Sequence, residues 1–474
     1  MPNNEPITEL ARWGLPLEEI EELGERLSEF YQEFRPYFQT QTRDTSDYGL
    51  SYLSGLLRLE TERTMVNISR QTGTNAQNMH HFMSNSPWSG PGLVSALQAK
   101  VRGRPEFQSG TMLLVDESAD EKGGEQSAGA GRQHNGRLGK VEMSQVGVFL
   151  TLATANLSTW IDGELFIPEA WFRPEAAKRR RKAEIPDERG FQTKPELAWL
   201  MIQRAVANGV AFEAVGMDTL YGRSQKLRAE LDQAGLEYYA DIPADTQVYL
   251  CQPRLLYPKT KRGKPAKRPI IQGRAYEVRS LLVSPHLRWH RMTLRPSEQG
   301  YLTAEFVRFP VWTIYQQRLR REWLLIRCDE SRVSYTLSNA AVTTPLEMMA
   351  WRKSFRHLAE RSNQDSKSDL GWDEFQAIKY RAWQHQLALT LLAGWFITQI
   401  RLDWLSRCHH QPDLLAHYQV EVLPLLSVAN VRELLRAAMP LPQLSPAEAA
   451  QLVITHLDNR IRSRKSRLRH RSGP

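Results

Sequence analysis

The sequence predicts an α/β protein that has helical regions at both ends. Within residues 106–225, short apolar runs such as 112–115 and 212–217 are typical of buried strands, and 195–208 has the pattern of a helix. Strands in quick succession, followed by a helix and another strand, fit a mixed sheet that is covered by helices. Residues 226–343 are also rich in strand patterns, whereas both ends of the chain show helical periodicity.

Length and charge narrow the class of protein. A chain of 474 residues exceeds what one simple core usually holds, so two to four structural units are expected. Its 62 Lys and Arg residues against 53 Asp and Glu residues give a net charge of +9, which favours nucleic acid over a membrane surface as the partner. No apolar run is long enough to span a membrane, and three separated cysteines suggest neither disulfides nor a zinc site. We therefore expect a cytoplasmic protein that binds DNA or RNA.

Residues 1–105 are predicted to be helical and to contain a helix-turn-helix. The stretch 17–30 has apolar residues at the spacing of an amphipathic helix. A later short helix stops at Gly73, and Thr74 or Asn75 can cap the helix that follows it. Polar residues of this second helix could reach base edges in a DNA groove, and they are Asn75, Gln77, Asn78 and His81. An ordinary helical hairpin is the alternative.

Residues 226–343 are predicted to be a β-rich region with a basic loop. The strand candidates are 247–250, 276–283, 305–311, 323–328 and 334–337. The basic loop contains no acid, which favours contact with phosphates, and its cations are Lys259, Lys261, Arg262, Lys264, Lys267 and Arg268. Trp289 and Trp312 lie nearby, and each is either a core residue or a platform on which an exposed base stacks.

The C-terminal residues are predicted to be helical up to a basic tail. Thr344 and Glu347 have the spacing of a capping box with proline between them, which makes Glu347 a structural residue. After Asp458 the chain carries seven Lys and Arg residues without an acid. Such a tail is expected to be disordered alone and to be attracted to a nucleic-acid backbone.

A nucleotide cofactor is not expected. The glycine-rich stretch 123–136 lacks the GxxxxGK[ST] pattern of phosphate-binding loops, and it does not lead into a clear helix. A hairpin is therefore the favoured interpretation of this stretch.

Three carboxylates at separated positions are the candidate catalytic residues. Asp116 and Asp218 each follow a short apolar run, as expected of acids at the edge of a buried strand. Glu360 lies in a predicted helix, and Arg356 and Lys367 fall within about 40° of it on that helix. These helical residues could form a plain salt-bridged stripe on the surface. A helix packed on the sheet could instead bring Glu360 to both aspartates and direct the two cations at phosphates.

Carboxylates from two strands and one helix suit hard divalent cations. Mg²⁺ takes only a few carboxylates and keeps several waters, so Asp116, Asp218 and Glu360 could hold two ions, for which Mn²⁺ could substitute. Two such ions activate a water or a DNA 3′-hydroxyl and stabilise the leaving oxygen of an in-line displacement. The three acids therefore predict an enzyme that cuts and joins phosphodiesters.

The motifs around these acids resemble those of the DDE transposases of bacterial insertion sequences. Asp116 matches the family's first aspartate, and Asp218 matches the second, which precedes x-x-Tyr-Gly. The third motif has the family's Arg-x3-Glu-x6-Lys spacing in Arg356, Glu360 and Lys367. Secondary matches occur at 131–140, 167–171 and 193–197. The sequence is most similar to the 701-type group, which is related to the insertion-sequence-four superfamily.

The resemblance covers about residues 35–420 and implies an architecture. It implies a helical DNA-binding domain at 1–105, an RNase H-like core formed by 106–225 and 344–420, a β-rich insertion at 226–343, and C-terminal helices with a basic tail at 421–474. One residue departs from the family pattern, because Lys353 stands where the third motif has a tyrosine. The resemblance implies that this position contacts DNA near the cleaved end.

The resemblance also implies an activity. The expected protein is a nucleoid-associated bacterial transposase that binds terminal inverted repeats, cuts the transposon ends and joins them to target DNA as a synaptic homodimer. Two alternatives remain at this point. One is a domesticated DNA-binding protein that keeps the fold without the chemistry, and the other is a stand-alone Mg²⁺-dependent nuclease.

Overall fold

A computed structural model describes residues 13, 16–136, 139–257, 269–284, 287–297, 300–329, 332–441 and 445–471 of the chain. Within these ranges the protein forms a large mixed β-sheet, with helices packed on it and at both ends of the chain. The described part of the chain contains no helix that is both long and apolar enough to cross a membrane.

The N-terminal part is helical. Its helices are α1 (Leu17–Glu21), α2 (Leu23–Phe34), α3 (Ser46–Arg58), α4 (Met65–Thr72), α5 (Ala76–Ser84) and α6 (Gly90–Arg102). The stretch expected to form one helix at 17–30 is divided between α1 and α2 at Glu22. α4 ends at Gly73, whose φ of 70° is a left-handed conformation that glycine adopts without strain. Asn75 then caps α5 by accepting hydrogen bonds from the backbone N–H groups of Gln77 and Asn78.

The first half of the sheet follows these helices. Its strands are β1 (Met112–Glu121), β2 (Gly131–Asn135), β3 (Lys140–Ala153), β4 (Ser158–Phe166), β5 (Ala214–Met217) and β6 (Glu237–Ile242). Four helices lie between the strands: α7 (Ala177–Lys182), α8 (Lys194–Ala207), α9 (Thr219–Gly222) and α10 (Gln225–Gln233). β3 pairs antiparallel with both β1 and β4, whereas β5 pairs parallel with both β1 and β6. The neighbouring order is therefore β4-β3-β1-β5-β6.

The β-rich region continues the same sheet. Its strands are β7 (Gln247–Tyr249), β8 (Arg254–Leu256), β9 (Ile270–Gln272), β10 (Ala275–Glu277), β11 (His290–Ser297), β12 (Gly300–Tyr315), β13 (Arg318–Asp329) and β14 (Arg332–Ser338). β14 pairs with β6, and the sheet extends from there through β13 and β12, while β8 and β9 form a separate ladder. The strand predicted at 276–283 is correct only for its first two residues, which belong to β10, and is wrong from Val278 onwards. Val278–Val283 is a 3-10 helix, in which the buried Val278 and Leu281 share one face at a spacing of three residues.

The C-terminal part is helical. Its helices are α11 (Leu346–Ser354), α12 (Arg356–Ser368), α13 (Tyr380–Cys408), α14 (Pro412–Tyr418), α15 (Val428–Ala438) and α16 (Pro446–Arg471). The predicted capping box is wrong, because Pro345 occupies the N-cap of α11 and the carbonyl of Thr344 accepts a hydrogen bond from Arg308 instead. The expectation of a disordered basic tail is also wrong, since α16 continues to Arg471. Arginine and lysine are good helix formers.

The long helix α13 connects the N-terminal helices to the sheet. It packs against α3, α5 and α6 on one side and against β4 on the other, and most of its side chains are buried. His385 of α13 contacts the carbonyl oxygens of Met83 and Trp88 at 3.0 Å, and Gln386 accepts a hydrogen bond from the hydroxyl of Tyr52. The N-terminal helices are thus fixed to the core through buried polar contacts as well as apolar packing.

Candidate active site

Two of the predicted acids lie side by side at the end of a parallel ladder. The ladder between β1 and β5 ends with Val115 opposite Met217, so the next residue on each strand is Asp116 or Asp218. β1 itself does not end there, because its antiparallel pairing with β3 continues to Glu121. The carboxyl ends of parallel strands are where α/β proteins commonly place polar functional groups.

Asp218 is held by the start of α9. Its Oδ1 accepts hydrogen bonds from the backbone N–H groups of Leu220, at 2.9 Å, and Tyr221, at 3.3 Å. The glycine that ends α9 is sterically required, since a Cβ on Gly222 would lie 1.9 Å from the carbonyl oxygen of Asp241 on β6. The Asp-x-x-Tyr-Gly motif therefore encodes a tight turn that presses against the sheet and fixes the direction of the Asp218 carboxylate.

Asp116 is held by one backbone group and one side chain. Its Oδ1 accepts a hydrogen bond from the N–H of Glu117 at 2.9 Å, and its Oδ2 accepts one from Nδ2 of Asn363 at 3.1 Å. Asn363 lies on α12, three residues after Glu360, so the predicted helix does pack across the first aspartate.

Burial and neighbouring acids disfavour the charge of both aspartates. The pKa of Asp116 is raised to about 7, mainly by burial, with Arg356 opposing the rise and Asp218 and Glu117 adding to it. Burial and the nearby Glu117 likewise raise the pKa of Asp218. Glu117 adds a third carboxylate to this group, and its Oε1 binds Nζ of Lys194 at 3.0 Å. This group of acids therefore has more negative charge than its protein cations neutralise, and it would be stabilised by an added cation.

Glu360 stands apart from the aspartates. Its Oε1 accepts a hydrogen bond from Nη2 of Arg356 at 2.6 Å, and its side chain is 61% exposed. Arg356 connects the acids electrostatically, since it lowers the pKa of both Asp116 and Asp218. Among the residues that the structure describes, no three acids, histidines or cysteines are close enough to hold a metal ion together. The structure therefore brings together two of the three predicted acids and places the third beside their shared arginine.

The two predicted DNA-binding lysines of this region have internal partners. Nζ of Lys367 lies 2.6 Å from the carbonyl oxygen of Ala119 and 3.0 Å from Oδ1 of the buried Asp120. Lys353 is 7% exposed, and its ammonium binds Asp241 and the hydroxyl of Thr336. Neither ammonium is directed at solvent, because the faces of α11 and α12 that carry them pack on the sheet. A phosphate contact by either lysine would first require its ion pair to open.

A basic cavity of about 260 Å³ lies beside Glu360, where α11 and α12 meet the β-rich region. It was not predicted, because strand patterns alone do not show which arginines of β11, β13 and β14 face α12. Among the residues that the structure describes, buried nitrogen atoms of Arg356 and Arg327 have no hydrogen-bond partner there. The charged residues that line the cavity are Arg295, Arg327, Arg332, Lys353, Arg356, Asp241, Asp329 and Glu360.

The remaining predicted DNA-binding residues lie elsewhere. Gln77 and Asn78 are exposed on α5 and line a cavity of about 350 Å³ together with Arg43 and Tyr48, whereas the side-chain oxygen of Asn75 is used as the cap of α5. Half-buried tryptophans occupy the β-rich region at Trp289 and Trp312. All six cations of the predicted basic loop lie outside the described residues, and they are Lys259, Lys261, Arg262, Lys264, Lys267 and Arg268.

Comparison with known families gives the class of protein. Residues 29–300, more than half of the chain, match a family described as DDE superfamily endonuclease. The chain therefore belongs to the DDE endonuclease superfamily, which confirms the family predicted from its motifs. The matched range includes Asp116 and Asp218 and ends before Glu360.

A curated relative gives a more particular likeness. The chain is 23% identical over 364 residues to the probable transposase for insertion sequence element IS701 of Microchaete diplosiphon. The aligned region covers 74% of this chain and 82% of that relative.

Proposed function

We propose that the protein is a DDE transposase that binds the terminal inverted repeats of its element, cuts the ends and joins them to target DNA. The observation that carries this proposal is the meeting of Asp116 and Asp218 at the end of the β1–β5 ladder, in a chain of the DDE endonuclease superfamily. The similarity to a probable transposase supports it. Neither a domesticated DNA-binding protein nor a stand-alone nuclease is favoured by these comparisons.

The proposal includes an RNase H-like catalytic core. Its support is the strand order β4-β3-β1-β5-β6, in which an antiparallel meander is followed by two strands parallel to β1. α8 connects β4 to β5, and α10 connects β5 to β6. In this arrangement α10 and β6 belong to the core, so the insertion expected at 226–343 would begin only after β6, and it extends the core sheet through β14.

The proposed catalytic acids are Asp116, Asp218 and Glu360, which would hold two Mg²⁺ ions or their Mn²⁺ substitutes. These residues suit divalent ions for two reasons. The adjacent aspartates have raised pKa values, and their carboxylates supply the hard oxygen ligands that Mg²⁺ prefers. When bound, the two ions would activate the attacking water or 3′-hydroxyl and stabilise the leaving oxygen. The chain's own task is to fix the carboxylates, which the backbone N–H groups of α9 do for Asp218.

Glu360 can join the aspartates at low cost. Its present partner is Arg356 four residues earlier on the same helix, and exposed pairs of this kind contribute only about 0.3–0.5 kcal/mol. A cation at the aspartates would attract the Glu360 carboxylate far more strongly than this. Release of Glu360 would also free the Arg356 guanidinium, which borders the basic cavity, for a DNA phosphate.

DNA contacts are proposed at several surfaces. The arginines of the basic cavity would bind phosphates beside the acids, and Lys353 and Lys367 would join them only if their ion pairs open. Gln77 and Asn78 would read bases of the terminal repeat from α5. We also propose that the basic loop binds phosphates and that Trp289 or Trp312 stacks on a base. The protein would act as a homodimer in the synaptic complex and associate with the nucleoid.

A cleavage and joining assay tests the proposal. Full-length protein is incubated with a labelled duplex that carries one end of its insertion sequence, a target plasmid and Mg²⁺. We expect cleaved and joined products from the wild type and from Glu347→Gln, which changes an exposed glutamate outside the proposed acids, but none from Asp116→Ala. Cleavage without joined products would indicate a nuclease. End binding without any cleavage by the wild type would refute both catalytic functions.

A further inference from the structure

Asn363 is the residue of α12 that contacts the first aspartate directly. Its Nδ2 lies 3.1 Å from Oδ2 of Asp116 and 3.4 Å from the carbonyl oxygen of Glu117. Its Oδ1 accepts a hydrogen bond from the indole N–H of Trp160 at 3.0 Å. We propose that Asn363 is a positioning residue, which fixes the Asp116 carboxylate for metal binding; this inference rests on the proposed metal-binding role of Asp116.

The orientation of the Asn363 amide follows from its neighbours. The indole N–H of Trp160 can only donate, and the carbonyl oxygen of Glu117 can only accept. A flipped amide would place its NH2 group against the indole N–H and its oxygen against the carbonyl oxygen of Glu117. The NH2 group must therefore face Asp116, and the amide has no second arrangement that satisfies these contacts.

Trp160 is itself held rigidly. Its ring stacks on Phe149 with centroids 3.8 Å apart and 5° between the planes, and it meets Trp372 edge to face at 5.6 Å. Only 3% of Trp160 is exposed. A packed aromatic cluster thus fixes the indole N–H, the indole fixes the amide, and the amide fixes the carboxylate.

A neutral donor suits an acid that must bind a cation. Asp120, on the same strand, is paired with the ammonium of Lys367, so its charge is already neutralised by the protein. Asn363 instead holds Oδ2 of Asp116 by a neutral N–H, while the N–H of Glu117 holds Oδ1. Both oxygens are restrained, the negative charge stays available, and each oxygen keeps a lone pair for an ion.

Binding of Mn²⁺ to the full-length protein without DNA, measured by electron paramagnetic resonance, tests this inference. In Asn363→Leu the new side chain has nearly the volume of asparagine but no hydrogen-bond donor. Hydrogen-bond partners of metal ligands typically contribute roughly 10–100-fold in metal affinity. We expect Asn363→Leu to weaken Mn²⁺ binding about 10-fold or more, and Trp160→Phe, which keeps an aromatic ring but removes the N–H, to weaken it by less. The double variant should bind as Asn363→Leu does.

Ser362→Ala is the matched control. Ser362 is the neighbouring buried residue on α12, and its hydroxyl donates a hydrogen bond to Ser158 of β4 rather than to an acid. We expect this variant to bind Mn²⁺ as the wild type does, and melting temperatures in EDTA show that each variant is folded. If Asn363→Leu bound Mn²⁺ as tightly as Ser362→Ala while Asp116→Ala bound it more weakly, the role of Asn363 would be overturned. The proposed function would then remain intact. Unimpaired binding by Asp116→Ala would overturn both.

Discussion

The charge of Asp116 is expected to destabilise the metal-free protein, and Asp116→Asn should therefore stabilise it. The pKa of this carboxyl is raised from 3.8 to about 7, mainly by burial and against the attraction of Arg356. At about 1.36 kcal/mol per pKa unit, such a rise corresponds to about 4 kcal/mol when the group is fully ionised. We expect a smaller gain than this, of about 1–3 kcal/mol in unfolding free energy at pH 8, for two reasons. The unfolded chain is not fully extended, and the new amide has one acceptor oxygen fewer than the carboxylate.

The sign of the pH dependence follows from the direction of this shift. The folded protein holds the Asp116 proton more tightly than the unfolded chain does, so this residue makes stability fall as pH rises from about 4 to about 7. Below pH 4 the carboxyl is protonated in both states, and the variant should have no advantage from this source. Above pH 7 the advantage should be constant.

Thermal unfolding in EDTA at pH 4, 6 and 8 measures this advantage. Asp116→Asn should melt at a higher temperature than the wild type at pH 8, and the difference should shrink towards pH 4. Adding Mg²⁺ should raise the melting temperature of the wild type more than that of the variant, because a bound ion stabilises only the protein that binds it. Glu347→Gln, a change in an exposed carboxyl, is the control. An Asp116→Asn protein that is no more stable than the wild type at pH 8 would refute this reasoning.

Three further changes have expected outcomes. Lys353→Met removes the buried ammonium that pairs with the half-buried Asp241 and leaves it only the longer contact with Arg356, so we expect a loss of about 1–3 kcal/mol in unfolding free energy by denaturant titration, which Asp241→Asn in the same chain should largely restore. Gly222→Ala places a Cβ against the backbone of β6 and should cost about 1–3 kcal/mol or prevent folding, as seen in thermal melts. Gln77→Ala with Asn78→Ala should reduce the preference for terminal-repeat DNA over random DNA in binding titrations, while leaving the salt dependence unchanged, because neither residue is a cation.

The strand-borne acids could be predicted because their signal is local. An acid directly after an apolar run is typical of the edge of a buried strand, and this pattern singled out Asp116 and Asp218 before any pairing was known, although β1 itself continues past Asp116 to Glu121. The contact between Arg356 and Glu360 is local as well, since residues four apart share a helix face. Gly73 as a helix end belongs to the same group of local signals.

The environment of those acids could not be predicted, because it depends on contacts between distant residues. Asn363 lies 247 residues from Asp116 in sequence, and nothing in its own helix distinguishes it from a surface asparagine. Helical spacing placed Lys367 on the stripe of Glu360 but could not show that this part of the stripe is buried against Asp120. Arg327 likewise could not be assigned to the basic cavity, because strand alternation does not show which face meets α12.

The β-rich region illustrates the same limit at the level of the fold. Its strands were recognisable one by one, yet the pairing of β14 with β6, which makes one continuous sheet, depends on register between residues about a hundred positions apart. Local patterns also misjudged the start of α11, where Pro345 rather than Thr344 is the N-cap.

Strand joining with a pre-cut end tests the central claim most directly. A duplex that ends in a free 3′-hydroxyl at the transposon terminus is mixed with supercoiled target plasmid, Mg²⁺ and full-length protein, and end binding is measured in parallel. We expect joined products from the wild type and none from Asp116→Ala, Asp218→Ala or Glu360→Gln, although all three variants bind the end. Joining by Glu360→Gln at the wild-type rate would contradict the assignment of the third acid, and joining by either aspartate variant would contradict the proposed site as a whole.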